Sequence, residues 1–184
     1  MSANSSFSNN SGYLFFDGPL TTIGTNAFKD CTDLTSISLP ATLTSLGNDA
    51  FQSCTALTGI DLSHTEVTSI GDNAFYGCSS LSSITLPASL TSIGGYAFCY
   101  CSNLSSISLP ASLTSIGEYA FGNCRSLTSV SLPASLNSIG DYAFYNCDSL
   151  TSVTIGNSVT SIGSSAFCGC SSLTKVNYMG SIDD

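Results

Sequence analysis

The chain has 184 residues, of which 12 are Asp or Glu and only 3 are Lys or Arg, for a net charge of −9. Hydrophobic residues make up 42 % and charged residues 8 %, so there is apolar material for a packed interior and too little charge for a disordered chain. Three basic residues leave no electrostatic footprint for nucleic acid or an anionic membrane surface, the single His64 excludes most His-based catalysis and His-rich metal sites, and no apolar run approaches the ~18 residues of a membrane-spanning helix.

Residues 1–12 (MSANSSFSNNSG) are rich in Ser and Asn and carry no periodic pattern, which predicts a flexible arm. With no basic start and no apolar stretch they do not read as a signal peptide. Residues 13–22 read as a partial coil. Leu14, Phe16 and Leu20 fall in the slots that Ile37, Leu39 and Leu43 occupy one period later, and Phe15 and Phe16 are placed to cap the first rung.

From Ile23 onward one unit repeats. Its core is Ile-Gly-x-x-Ala-Phe-x-x-Cys-x-x-Leu-x-x-Ile-x-Leu-Pro. The Ile-Gly pair falls at Ile23, Leu46 (a Leu variant), Ile70, Ile93, Ile116, Ile139 and Ile162, at intervals of 23, 24, 23, 23, 23 and 23 residues. Phe recurs in phase from Phe28 to Phe167, and Cys three residues later from Cys31 to Cys170.

Within one unit, Val130 and Leu132 alternate with Ser129 and Ser131 before Pro133, which predicts a half-buried strand stopped by a residue without a donor. A second short extended stretch, Leu136–Ile139, leads to a corner at Gly140. Ala143, Phe144 and Cys147 then have the i, i+1, i+4 spacing of a helix, with Asp141 placed to cap it. No single unit encloses a core. Stacked units do, at the ~5 Å spacing of neighbouring strands, and identical side chains then form columns of Phe, Cys and Leu.

The Leu-x-x-Ile-x-Leu-Pro segment joined to Ile-Gly-x-x-Ala-Phe-x-x-Cys resembles the BspA-type leucine-rich repeat, over about Leu20 to Tyr178. That resemblance implies an α/β solenoid over residues 23–178: a right-handed coil of seven repeats with a parallel β-sheet on one face and short helical turns on the other. It also implies a protein partner, an adhesion or protein-binding role and an extracellular or cell-surface location.

Two places depart from the repeat. Asp61 to Ser69 replaces the Leu-Pro turn and adds one residue, and it holds His64 near Asp61 and Glu66. A lone His on such a bulge reads as a solvated loop residue, and no second His exists to serve a nucleophile. Residues 179–184 form a short tail, too small to cover the last rung. The chain is then part of a longer array, or a subunit whose open strand edge pairs with another copy, end to end, into filaments, or its last nine residues fold back as a small cap.

Seven of the nine cysteines lie on the buried ladder and read as small apolar residues. Cys99 and Cys168 lie off it and are candidate exposed thiols. Neither they nor any other cluster suggests a cofactor or a metal.

Two surfaces are candidates for binding. The outward strand positions Ser83, Thr85, Ser106, Ser108, Ser129, Ser131, Ser152 and Thr154 form a flat, nearly uncharged hydroxyl face. It reads as a solvated sheet, as the partner-binding face that the resemblance implies, or as an array for ice or polysaccharide, although it holds no aromatic for a sugar to stack on. Tyr96, Tyr119 and Tyr142 share one slot on successive coils, with Tyr76, Tyr100 and Tyr145 close by. Tyrosine joins large contact area to a polar tip, so this edge is a candidate protein-contact patch. The residues favour a recognition scaffold over an enzyme.

Overall fold

One short extended segment in each coil pairs with its equivalent in the next along the whole described solenoid, and a second segment pairs over parts of it. A computed structural model describes residues 19–180. The arm expected over 1–12, the first part of the partial coil (13–18) and the end of the tail (181–184) lie outside the described residues.

The first segment forms a seven-stranded parallel sheet from strands of two residues. These are β1 (Thr22–Ile23), β2 (Ser45–Leu46), β4 (Ser69–Ile70), β6 (Ser92–Ile93), β7 (Ser115–Ile116), β9 (Ser138–Ile139) and β11 (Ser161–Ile162). Each Ile or Leu faces its equivalent in the next coil, as in Ile93 with Ile116 and Ile116 with Ile139. The second segment is less continuous. It gives a pair, β3 (Gly59–Asp61) with β5 (Ser83–Thr85), and a trio, β8 (Ser129–Ser131), β10 (Ser152–Ile155) and β12 (Lys175–Tyr178). Residues 36–38 and 106–108, in the equivalent positions, belong to neither ladder.

The unbroken sheet is therefore the Ser-Ile one. The glycines that follow it explain why. A Cβ built on Gly117 would stand 2.6 Å from Gly94 C and Gly95 N, and one on Gly140 2.6 Å from Gly117 C. Only glycine lets the coils approach so closely at that corner. Proline bounds the other column and cannot donate to a ladder. The two strands of four residues, β10 and β12, occur where Gly156 and Met179 stand in the proline slot, and the Met179 amide donates to Ile155 O at 2.9 Å.

The Ala-Phe segment is not helical, and no helix occurs among the described residues; the architecture is a parallel β-solenoid rather than an α/β one. Every second amide leaves for the next coil. Tyr96 N–H donates to Glu118 O at 2.7 Å, Phe98 N–H to Ala120 O at 2.8 Å and Tyr100 N–H to Gly122 O at 2.8 Å. The amides between them close local turns, Cys99 to Tyr96 O at 3.0 Å and Cys101 to Phe98 O at 3.1 Å. Left-handed residues produce this alternation. Asn26, Asp49, Asn73, Tyr96, Tyr119, Tyr142 and Ser165 all have φ between 50° and 61°. A helix would keep all these amides within its own coil. Asp141 accordingly caps no helix; its Oδ1 accepts the Ser164 N–H of the next coil at 2.6 Å.

The interior is the predicted set of columns. Phe51, Phe75, Phe98, Phe121 and Phe144 are fully buried. Successive rings are nearly parallel, with centroids 5.1–5.3 Å apart. Parallel faces in contact sit only ~3.5–4 Å apart, so these rings are slipped sideways, the offset arrangement that aromatic pairs prefer. Each buried ring contributes roughly 1.5–3 kcal/mol. The inserted residue is absorbed by burying Leu62, Thr65 and Val67, after which Glu66 N–H meets Leu43 O at 2.9 Å and the register resumes. Beyond β11 no described coil packs, and Ile162, Val176, Tyr178 and Met179 stay exposed.

Candidate functional site

The turn that carries each Ala-Phe pair also presents the residue before it at the solenoid edge, and in three consecutive coils that residue is Tyr. Tyr96 and Tyr119 stack with centroids 5.0 Å apart and Tyr119 and Tyr142 at 4.6 Å. Tyr145 meets Tyr119 and Tyr142 edge-on at 5.9 and 5.8 Å. Tyr76 and Tyr100 form a separate edge-on pair at 5.5 Å. The six tyrosines thus resolve into a group of four and a group of two.

Backbone strain marks both groups. Tyr96, Tyr119, Tyr142 and Tyr100 have φ of 57°, 50°, 55° and 62°, a region that costs a bulky L-residue about 1–2 kcal/mol. The same slots in other coils hold Asn, Asp, Ser or Gly, which suit it. The backbone therefore does not select tyrosine here.

The charge around the larger group is negative. Asp72 Oδ1 accepts Gly95 N–H at 2.8 Å, and Tyr96 OH donates to Glu118 Oε1 at 3.4 Å. Among the described residues the close ion pairs are Lys29 with Asp49 and Arg125 with Asp148, so no cation neutralises Asp72, Glu118 or Asp141. Partial burial, then the neighbouring Glu118, holds the Tyr96 phenol above its ordinary range. Tyr119 is pushed up in the same way by burial and then by Tyr142.

On the other face Ser83, Thr85, Ser106, Ser108, Ser129 and Ser131 are exposed, and Ser152 and Thr154 half-buried. The hydroxyls flanking this face are engaged between coils. Thr58 donates to Thr35 O, Ser82 to Thr58 O, Thr128 to Ser105 O and Thr151 to Thr128 O. The eight face hydroxyls make no such bond among the described residues. A groove of about 480 Å³ opens between Ser83–Thr85 and Ser106–Ser108 over Ile84 and Ile107, where the ladder is interrupted.

The thiols divide. Cys168 is exposed, as expected, but Cys99 is only 2 % exposed. Gly122 of the next coil lets the chain close over it, since a Cβ there would sit 3.2 Å from Cys99 Sγ. Burial raises the Cys99 pKa to about 11, against hydrogen bonds to the Asn123 side chain and the Tyr100 backbone that lower it. His64 is exposed and its Nε2 lies 2.6 Å from Leu39 O, tying the bulge to the preceding coil.

One feature was not legible in the sequence: a second groove, of about 280 Å³, beside Tyr100 and lined by Gly77, Ser79, Ser102, Asn123 and Arg125. These residues come from three coils, and only the rarity of Arg in this chain singles one of them out. Among the described residues no cluster of His, Cys, Asp or Glu suits a metal ion, and no helix is long and apolar enough to cross a membrane.

The profile of the "BspA type Leucine rich repeat region" matches six copies, over residues 3–105 and 91–184. The chain is similar to a leucine-rich repeat protein of T. pallidum, with 35 % identity and a TM-score of 0.75 over 78 % of this chain and 69 % of that one. It shares its fold with the pneumococcal vaccine antigen PcpA, at 24 % identity and a TM-score of 0.59, covering 90 % of this chain and 50 % of that one. A leucine-rich repeat protein of Bacteroides ovatus is 24 % identical with a TM-score of 0.50, over 98 % of this chain and 70 % of that one. No curated protein matches the chain.

Proposed function

The chain belongs to the BspA-type leucine-rich repeat family, and on that premise we propose that it is a non-enzymatic scaffold for protein recognition at a cell surface. The observation that carries this reading is the stack of Tyr96, Tyr119 and Tyr142, held in a backbone conformation that disfavours them. Strain of this kind is kept where the side chain has a use. Half-buried rings with polar tips form a rigid, amphipathic contact surface. The unneutralised Asp72, Glu118 and Asp141 alongside, on a chain of net charge −9, favour a partner rich in Lys and Arg. Among the described residues no nucleophile is assembled with a base, and the reading as a binding scaffold rests on the tyrosine stack instead.

The test is binding of immobilised chain to cells and to a panel of extracellular matrix proteins, compared with the double variant Tyr119→Ser/Tyr142→Ser. The proposal requires binding that falls in the variant and weakens with salt. Full binding by a variant with an unchanged melting curve removes the tyrosine edge from it.

The unengaged hydroxyl face supports a second reading, as an array for ice or polysaccharide. An ice-recrystallisation assay on wild type and on Ser106→Val/Ser129→Val decides it, since only an active array gives inhibition that the variant loses.

A further inference from the structure

We infer that the groove beside Tyr100 is a binding site for a neutral pyranose ring. It is separate from the tyrosine edge proposed for protein recognition. Tyr100 is 48 % exposed and stands at φ 62° in a column otherwise filled by Asp30, Ser53, Gly77, Asn123, Asn146 and Gly169. Neither burial nor backbone geometry accounts for an aromatic there. Gly77, one coil before it, lines the same groove without a side chain, at φ 71°.

The remaining lining is what a sugar needs. A pyranose has one apolar C–H face and a rim of hydroxyls, so its sites combine an aromatic platform with a few converging polar groups. Arg125 supplies donors and Ser79 and Ser102 supply hydroxyls, beside an Asn123 side chain fixed by its bond to Cys99. Arg125 is ion-paired with Asp148 through Nε alone, at 3.6 Å, longer than a hydrogen bond, so its remaining guanidinium N–H groups are left for a pair of vicinal hydroxyls. Ser102 Oγ reaches Ser79 O only at 3.4 Å. The volume, about 280 Å³, falls just below the ~300–1,000 Å³ range of ligand pockets, which suits one ring rather than a chain.

Charge selects a neutral ligand. Asp148 is paired with Arg125 of the groove lining, offsetting its charge, and the whole chain carries −9, so a sugar acid meets repulsion that a hexose does not. The ring is either a free monosaccharide or the end of a glycan, and both present the same chemistry.

The experiment is titration of the full chain with methyl glucoside, methyl galactoside, methyl mannoside and glucuronate, followed by amide NMR, with a glycan array as a second arm. At least one neutral glycoside should shift the Gly77, Ser102 and Asn123 amides, with glucuronate weaker. Array binding without a response to the monosaccharides places the ligand at a glycan end, and the reverse places it as a free sugar. Tyr100→Asn should weaken binding roughly tenfold, the worth of one stacking contact, while its melting temperature holds or rises because Asn suits the left-handed slot. Arg125→Gln should weaken it with the fold intact. Tyr119→Ser/Tyr142→Ser should leave sugar binding unchanged, which separates this site from the protein-recognition edge. No shift with any neutral sugar in either arm, or equal affinity in Tyr100→Asn, overturns the inference.

Discussion

Cys124 Sγ lies 3.1 Å from the carbonyl oxygen of Phe98, a residue of the preceding coil. The same Phe98 oxygen accepts the backbone N–H of Cys101 at 3.1 Å. The contact recurs from Cys54 to Phe28 and from Cys78 to Phe51 through to Cys170 and Phe144, at 3.0–3.2 Å. The ladder cysteine is thus a small apolar filler whose thiol also satisfies a buried carbonyl.

Cys124→Ala removes both volume and donor at a fully buried site, so it should cost about 1–2 kcal/mol. Cys31→Ala, in an exposed slot of the first coil, should stay within about 0.5 kcal/mol of wild type. Urea midpoints measure both; equal costs would show that the thiol column carries no cross-coil bond.

Two adjacent glycines should behave in opposite ways. A Cβ on Gly94 would stand 2.6 Å from Asp72 Oδ1 and 2.8 Å from Asp72 N, whereas one on Gly95 would meet nothing closer than 3.5 Å. Gly94→Ala should therefore cost about 1–3 kcal/mol by forcing the coils apart. Gly95→Ala should be neutral or stabilise by up to about 1 kcal/mol through the unfolded chain. Thermal melts of the two variants check the pair.

Burial sets a pH limit. Cys99 titrates at about 11 in the folded chain against an ordinary 9.0, and burial also pushes Cys101 and Cys124 up. A raised folded pKa means that the unfolded chain loses its protons first. Stability from Cys99 is thus complete below pH 9 and is lost as pH rises to about 11. Melting temperature should fall through that window, and less steeply in Cys99→Ala. At pH 8 a thiol reagent should label Cys31 and Cys168 while Cys99 stays protected; labelling of Cys99 at the rate of Cys168 contradicts this.

The strained tyrosines make a fourth test. Tyr119→Asn gives up the stack with Tyr96 and Tyr142 but suits φ 50°, whereas Tyr119→Ala gives up the stack and keeps the strain. The Asn variant should be more stable than the Ala variant by about 1 kcal/mol, measured by urea unfolding. The reverse order would show that the tyrosine slot is not selected by its left-handed conformation.

Much of this architecture is legible from period alone. Phe75, Phe98 and Phe121 stack because a constant repeat leaves them no other neighbours, and the Tyr96–Tyr119–Tyr142 column follows from the same count. Helical turns were a misreading with a physical cause: Ala143, Phe144 and Cys147 at i, i+1 and i+4 fit a helix as well as a stack of turns. What decides between them is the left-handed conformation of Tyr142 and Asn146, which the identity of Tyr142 conceals. Cys99 looks exposed when its own coil is read alone, and it is buried by Gly122 and Asn123 of the next. The groove at Tyr100 needs residues from three coils, so no local pattern announces it.

The most direct measurement is of hydrogen-bond scalar couplings between amide nitrogens and carbonyl carbons by NMR. Phe98 N–H donates to Ala120 O at 2.8 Å and Phe121 N–H to Ala143 O at 2.7 Å, so cross-peaks should join Phe98 to Ala120 and Phe121 to Ala143. Cross-peaks from Phe98 to Gly94 and from Phe121 to Gly117, the i−4 partners of a helix, would contradict a solenoid whose coils are joined through alternate amides of this turn.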